Sequence, residues 1–217
     1  GGAEVMAPRR IRTDPLRRAG RWARRVMRAV APNEHPCIGV VVTSDALFAA
    51  PEFDLDAMLR AFASMVGGMR ESGWRMRVRL RSTEDSADFF RSIPDQTSID
   101  FEDNANRGFV AFARECDLIV ELGLESSAFL EAAGSCIPYL RIGSPRASRI
   151  RFARPNALVP RLDADHPWMD LAPYLHSRTK RLRLALTQNA WLVTETRPGL
   201  VQPYPAKSTA ATGVGLN

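Results

Sequence analysis

The chain has 217 residues, 45% of them hydrophobic and 25% charged, a composition typical of one soluble globular domain flanked by tails. We expect no transmembrane helix, because no run of 18 apolar residues occurs, and no secretory signal, because the arginine-rich start lacks an apolar segment. Cys37, Cys116 and Cys136 show no CxxC spacing, which disfavours a zinc site or a disulfide framework. All three border apolar runs, so we expect buried thiols in a reducing cytoplasm.

The positive charge is concentrated at the start of the chain. The formal net charge is +6, yet residues 1–32 carry nine arginines against Glu4 and Asp14, a net +7 that leaves the remainder at −1. A helix is predicted to begin at Thr13 or Asp14, because apolar residues then recur at helical spacing with arginines on the other faces. We therefore define residues 1–35 as the basic arm, which contains an amphipathic helix.

Three interpretations of the basic arm stay open. The arginines of residues 9–28 would suit an anionic inner-membrane surface, the phosphates of a nucleic acid, or docking on the body of the protein or on a partner. Trp22 and the apolar stripe favour the first and the third. Nucleic acid is the least favoured partner, because no basic patch interleaved with aromatic residues continues into the body.

Residues 36–197 are predicted to form one α/β domain, followed by a flexible tail at 198–217 that is rich in Pro, Gly, Ala, Ser and Thr. In chain order, the predicted elements are a strand at 37–43, a helix at 54–72, a strand at 75–81, a helix at 84–92, a strand at 98–101, a helix at 105–115, a strand at 117–122, a helix at 126–133, strands at 137–142 and 156–159, and helices at 167–175 and 178–194. This alternation predicts a Rossmann-like parallel sheet with helices on both faces. Ligands of such sheets bind beyond the carboxyl ends of the strands.

The segment 117–142, DLIVELGLESSAFLEAAGSCIPYLRI, carries the clearest binding pattern. Ser126 and Ser127 lie at the start of a predicted helix, where free backbone N–H groups and the helix dipole favour an anion. The alternative for them is ordinary helix capping. Glu131 follows within the same helix, where its carboxylate would accept hydrogen bonds from the hydroxyls of a ribose. The alternative for Glu131 is a solvated helix residue, which its apolar neighbours disfavour.

This segment resembles the donor-binding signature in the C-terminal domain of GT-B-fold glycosyltransferases, of the bacterial capsule and lipopolysaccharide type, and that of the related sugar-nucleotide 2-epimerases. The matching positions are Asp117, Ser126, Ser127, Glu131, Ala132, Gly134 and Pro138. The resemblance extends over about residues 37–195. It implies the donor-binding half of such an enzyme, with a nucleotide-sugar as substrate and no further cofactor or metal.

The resemblance also implies a set of donor-binding residues. Ser126 and Ser127 would meet the donor phosphates and Glu131 the ribose. The first loop and the end of the arginine-bearing strand would approach the phosphates too, through Thr43, Ser44, Arg79 and Arg81. The alternative for the arginine row is an exposed strand face, which we adopt for Arg75 and Arg77 and leave open for Arg79 and Arg81. No catalytic residue is assigned, nor is the base of the nucleotide.

Two positions depart from common patterns of these enzymes. Gly123 stands eight residues before Glu131, where retaining enzymes often have a second Glu, and Arg81-Ser82 replaces a frequent His-Pro. Asp163, Asp165 and Asp170 near His166 are interpreted as a solvated loop rather than a metal site. A complete GT-B enzyme has two such domains, so we expect the acceptor half to come from another domain or chain.

The sequence therefore predicts a glycosyltransferase donor module that acts in bacterial surface polysaccharide synthesis on a glycan or lipid-linked acceptor. Its expected location is the cytoplasm, with the basic arm allowing peripheral attachment to the inner membrane. One alternative is a non-catalytic Rossmann-like interaction module that holds a partner or a membrane through the arm. A lesser one is a fragment similar to a sugar-nucleotide epimerase.

Overall fold

A computed structural model describes residues 23, 26–27, 36–42, 55–80, 99–103, 108–123, 127–142 and 158–195. The strands are β1 (Cys37–Val42), β2 (Arg75–Leu80), β3 (Ile99–Asp103), β4 (Leu118–Leu122), β5 (Tyr139–Ile142) and β6 (Arg161–Leu162). The helices are α1 (Leu55–Ser72), α2 (Phe109–Ala113), α3 (Ala128–Gly134), α4 (Pro167–His176) and α5 (Arg178–Glu195). No helix among these ranges is long and apolar enough to cross a membrane.

The six strands form one sheet in the order β3-β2-β1-β4-β5-β6, and every neighbouring pair is parallel. The chain runs outward from β1 through β2 to β3, then returns to place β4 on the other side of β1. The strand order therefore reverses between β1 and β4. The predicted Rossmann-like parallel sheet is confirmed, and this reversal is the topological switch point at which such sheets bind ligands.

Helices cover both faces of the sheet. Alternate strand residues such as Val40, Val78 and Val120 pack with α1 and α4 in the larger apolar cluster, and we call this side the α1/α4 face. The residues between them point the other way, so that Ile119 and Tyr139 join side chains of α2 and α3 on the α3/α5 face. Continuous apolar strands such as β1 result from burial on both sides.

The helix predicted at 54–72 is confirmed as α1. Five of its apolar residues, which recur at helical spacing, are buried: Met58, Phe62, Met65, Val66 and Met69. The helix gives way to β2 at Gly73, whose φ of +73° lies in the left-handed region that glycine tolerates.

Two buried amides fasten α5 to the sheet. Gln188 Nε2 donates to Tyr139 O at 2.7 Å and to Leu158 O at 2.8 Å, while its Oε1 accepts from Tyr139 N at 2.9 Å. Asn189 Nδ2 donates to Ala133 O at 2.8 Å near the end of α3. Gln188 therefore satisfies the backbone groups of Tyr139 that a neighbouring strand would otherwise bond, at a point where β6 does not extend along β5.

The structure departs from the predicted elements in two places. The last strand is Arg161–Leu162 rather than the predicted 156–159. Leu158 and Val159 are buried, but they lie in an irregular segment before that strand. The helix predicted at 105–115 spans only Phe109–Ala113. The predicted helix at 84–92, the tail at 198–217 and most of the basic arm lie outside the described residues, although Ala23, Val26 and Met27 have helical backbone as predicted.

Candidate functional site

The candidate site lies at the carboxyl ends of β1 and β4, beside the topological switch point. β4 ends at Leu122, and Gly123 N donates to Ile142 O at 3.1 Å across the neighbouring strand end. Gly123 has a φ of +114°, a conformation that L side chains rarely adopt, so glycine is required for the chain to leave the sheet here. This positive φ explains why glycine occupies position 123, where retaining enzymes often have the first of their two glutamates.

Ser127 and Glu131 lie on α3, which follows this turn. Ser127 is the residue before the helix, is exposed, and makes no capping hydrogen bond through its side chain, so the capping alternative does not describe it. Glu131 is exposed one turn further on, and residues four apart lie on the same side of a helix. Phe129, Ala132 and Ala133 on the other side are buried. A ligand could therefore reach both polar side chains together.

Arg79 is the more buried of the two predicted phosphate-binding residues that the structure describes, the other being Ser127. It lies in β2 one residue before the strand ends, and only 4% of it is exposed. Its guanidinium carbon is 5.6 Å from the centre of the Phe112 ring, within the range of a cation–π interaction. The exposed-face alternative is thus wrong for Arg79, while its role toward phosphate stays a prediction.

The arginines nearer the start of β2 differ from Arg79. Arg75 is exposed, as expected. Arg77 is half-buried and forms salt bridges with Asp100, at 2.8 Å, and with Glu115. Arg77 therefore links β2 to β3 and to the turn after α2, so the exposed strand face expected for Arg77 is wrong.

Glu121 and Arg141 are charged residues at this end of the sheet that the sequence analysis did not single out. Glu121 is 1% exposed within the otherwise apolar β4, and it is the register partner of Arg141 in β5. On its other side Glu121 is the register partner of Val41, which is in turn the partner of Arg79. Arg79, Glu121 and Arg141 therefore lie in one row across the α3/α5 face, with Val41 between Arg79 and Glu121, and each is one residue before the end of its strand. The sequence signal that could have revealed Glu121 is a single acidic residue within the otherwise apolar segment LIVEL.

Four of the predicted donor-binding residues, Thr43, Ser44, Arg81 and Ser126, lie outside the described residues. The three that the structure describes, Arg79, Ser127 and Glu131, all lie at the carboxyl-end side of the sheet or on the helix that follows it.

The acidic loop before α4 is organised by its own hydrogen bonds. Asp170 accepts from Asp163 N at 2.8 Å, and Asp163 accepts from Asp165 N at 3.1 Å. That backbone hydrogen bond, together with His166, lowers the pKa of the Asp163 carboxyl. Within the described ranges, no three His, Cys, Asp or Glu side chains are grouped so that they could hold a metal ion.

The three cysteines are free thiols and buried, as expected. Cys37 and Cys116 lie at the opposite, amino-end edge of the sheet, where Asp117 accepts from Cys37 N at 2.9 Å. A hydrogen bond between the two thiols lowers the pKa of Cys37, while the same bond and burial raise the pKa of Cys116. This pair is separated from the candidate site by the length of β1.

The sheet order, the switch point and the following helix define the fold of the C-terminal domain of GT-B glycosyltransferases. One similar solved structure is the C-terminal domain of a glycosyl transferase group 1 family protein, LpcC, from Francisella tularensis, with a TM-score of 0.55 and 12% identity over 80% of this chain and 91% of that one. Another is the catalytic domain of cholesterol-α-glucosyltransferase from Helicobacter pylori, with a TM-score of 0.52 and 15% identity over 74% of this chain and 99% of that one.

At these identities the likeness establishes the fold. No protein-family model and no curated protein sequence matches the chain.

Proposed function

We propose that this chain is the donor-binding module of a GT-B glycosyltransferase and binds a nucleotide-activated sugar at the carboxyl ends of β1 and β4. The observation that carries the proposal is the placement of Ser127 and Glu131, which are exposed on one side of the helix that follows the switch point. Serine hydroxyls donate to phosphate oxygens, and a carboxylate accepts from the two hydroxyls of a ribose. The buried Arg79 adds positive charge on the adjoining strand end.

The proposal extends to what the donor module works with. An acceptor half, supplied by another domain or by a partner chain, would complete the cleft and bind a glycan or lipid-linked acceptor. Surface polysaccharide synthesis in bacteria is the process we infer for it. The arginines of residues 9–28, all of which lie outside the described residues, would hold the module at an anionic membrane surface where such acceptors are found.

A thermal-shift screen of the full chain with CMP, UDP, GDP and their sugars at millimolar concentration tests whether a nucleotide binds and identifies its base. A ligand that binds only the folded state raises the unfolding temperature. Stabilisation by one nucleotide series is the expected result. If none of the nucleotides raises the unfolding temperature, the proposal is contradicted and a non-catalytic interaction module is favoured.

The Glu131→Ala variant is expected to bind the nucleotide found in that screen about 10–100-fold more weakly, because hydrogen bonds to a charged group contribute ~1.5–3 kcal/mol. Isothermal calorimetry measures the change. Glu71→Ala is the matched control, since Glu71 is also an exposed helical glutamate but lies on α1.

The 2′-deoxy form of the same nucleotide makes the test specific to ribose. Wild-type protein should bind the ribose form more tightly than the deoxy form, and Glu131→Ala should bind both equally. An unchanged preference for ribose in Glu131→Ala would rule out contact between Glu131 and the sugar hydroxyls.

A further inference from the structure

We propose that Glu121 is a positioning residue that orients Arg141 near the carboxyl ends of β4 and β5, where the Arg141 guanidinium binds the phosphates of the ligand. The inference rests on the proposed function and deepens it by naming the group that meets the phosphates and the residue that orients it. Glu121 is 1% exposed, and both of its carboxylate oxygens are inaccessible to solvent.

The register of the sheet places the two side chains next to each other. Glu121 and Arg141 are partners on the adjacent parallel strands β4 and β5, about 4.8 Å apart along the hydrogen-bonding direction. Side chains alternate along a strand, so both share the α3/α5 face with Ile119 and Tyr139. Since each lies one residue before the end of its strand, the pair lies near the carboxyl-end edge of the sheet, next to the switch point on its β5 side.

The burial of this pair is a reason to look for a function. Moving a carboxylate or a guanidinium out of water costs several kcal/mol, and a well-packed apolar pair is often as stable as a buried ion pair. Every other residue of β4 is apolar, so an apolar residue at position 121 would continue the pattern of the strand. The charge lies near the carboxyl-end edge of the sheet, where ligands of α/β proteins bind.

The ligand group that fits is a diphosphate. Arg141 Nε is inaccessible to solvent, while the residue as a whole is half-buried, so protein surrounds the inner part of the guanidinium. A guanidinium confined in this way loses less side-chain freedom when its fork binds phosphate oxygens. Arg79 lies in the same row, two strands from Glu121 on its other side, and adds positive charge to this end of the sheet.

A double-mutant cycle of Glu121→Gln, Arg141→Gln and the double variant tests the inference. Two probes are titrated into each protein: the nucleoside diphosphate that binds the wild type, and the matching nucleoside. We expect Glu121→Gln to weaken binding of the diphosphate about tenfold, which is within the range of coupling energies between neighbouring groups. Binding of the nucleoside should be unchanged. The double variant should bind the diphosphate no more weakly than Arg141→Gln alone.

Equal losses for both probes would show that Glu121 only supports the fold, and additive losses would show that it does not act through Arg141. Either result overturns the inference, as does unchanged diphosphate binding by Glu121→Gln. Arg75→Gln is the control, because Arg75 is exposed at the opposite end of β2 and should leave both affinities unchanged. If Glu121→Gln does not fold, Arg141→Lys keeps the charge beside Glu121 but removes the fork, and should weaken the diphosphate selectively.

Inorganic pyrophosphate separates this inference from the proposed function. If no nucleotide binds but pyrophosphate stabilises the wild type and not Arg141→Gln or Glu121→Gln, the phosphate site stands and the nucleotide-sugar proposal fails. If nucleotides bind with the same affinity to all these variants, the proposed function stands and the inference fails. If neither probe binds the wild type, both are wrong.

Discussion

The Gln188→Ala variant is expected to have a free energy of unfolding about 3–5 kcal/mol below that of the parent, because each buried backbone group left without its partner costs ~1–3 kcal/mol. Three such groups depend on this amide: Tyr139 N, Tyr139 O and Leu158 O. Gln188 is fully buried, so water cannot replace the amide without opening the contact between α5 and the sheet. Urea unfolding followed by circular dichroism measures the loss.

Thr187→Ala is the matched control for Gln188→Ala. Thr187 is exposed on the same helix and its hydroxyl bonds only to Arg183 O within α5, so its removal should change stability by less than about 0.5 kcal/mol. Gln188→Glu should be at least as harmful as Gln188→Ala near neutral pH, because a carboxylate would face the carbonyls of Tyr139 and Leu158. A Gln188→Ala variant as stable as Thr187→Ala would show that α5 is not fastened through this side chain.

Much of the fold was predictable because its signals are local. The alternation in Arg75–Leu80 marks a strand whose apolar side chains face one layer of helices, and the stripe in α1 marks a helix buried along one side. Alternating strands and helices then leave few topologies other than a parallel sheet. The bridge from Gln188 to Tyr139 was beyond such reasoning, since the partners are 49 residues apart and a buried glutamine has no sequence signature.

The candidate site was predictable to the extent that it depends on the end of one strand. Ser127 and Glu131 follow β4 directly, and the carboxyl ends of parallel strands are where ligands bind. Glu121 was not singled out because its position beside Arg141 depends on the register of the two strands, which a single sequence does not encode locally. The burial of Arg79 likewise depends on Phe112, which packs over it from a distant helix.

Gly68→Ala is expected to be less stable than Gly67→Ala by about 2–4 kcal/mol, although the two glycines are neighbours in α1. A methyl group at Gly68 would overlap the indole of Trp168, whereas one at Gly67 would meet no atom within 4 Å. Gly67→Ala should therefore gain about 1 kcal/mol of helix propensity. Gly68→Ala should lose more than this gain, since Trp168 packs against the core and must move with α4. Urea unfolding of both variants gives the comparison.

A second substitution shows whether the indole is the cause. Trp168→Ala alone should destabilise the protein, because it empties the space over Gly68 where α4 packs on α1. Gly68→Ala made in the Trp168→Ala background should no longer be harmful and should stabilise α1 as Gly67→Ala does. The interaction energy of this cycle thus isolates the overlap between the new methyl group and Trp168. If Gly68→Ala is equally harmful in both backgrounds, α4 does not rest on α1 through Trp168 at this glycine.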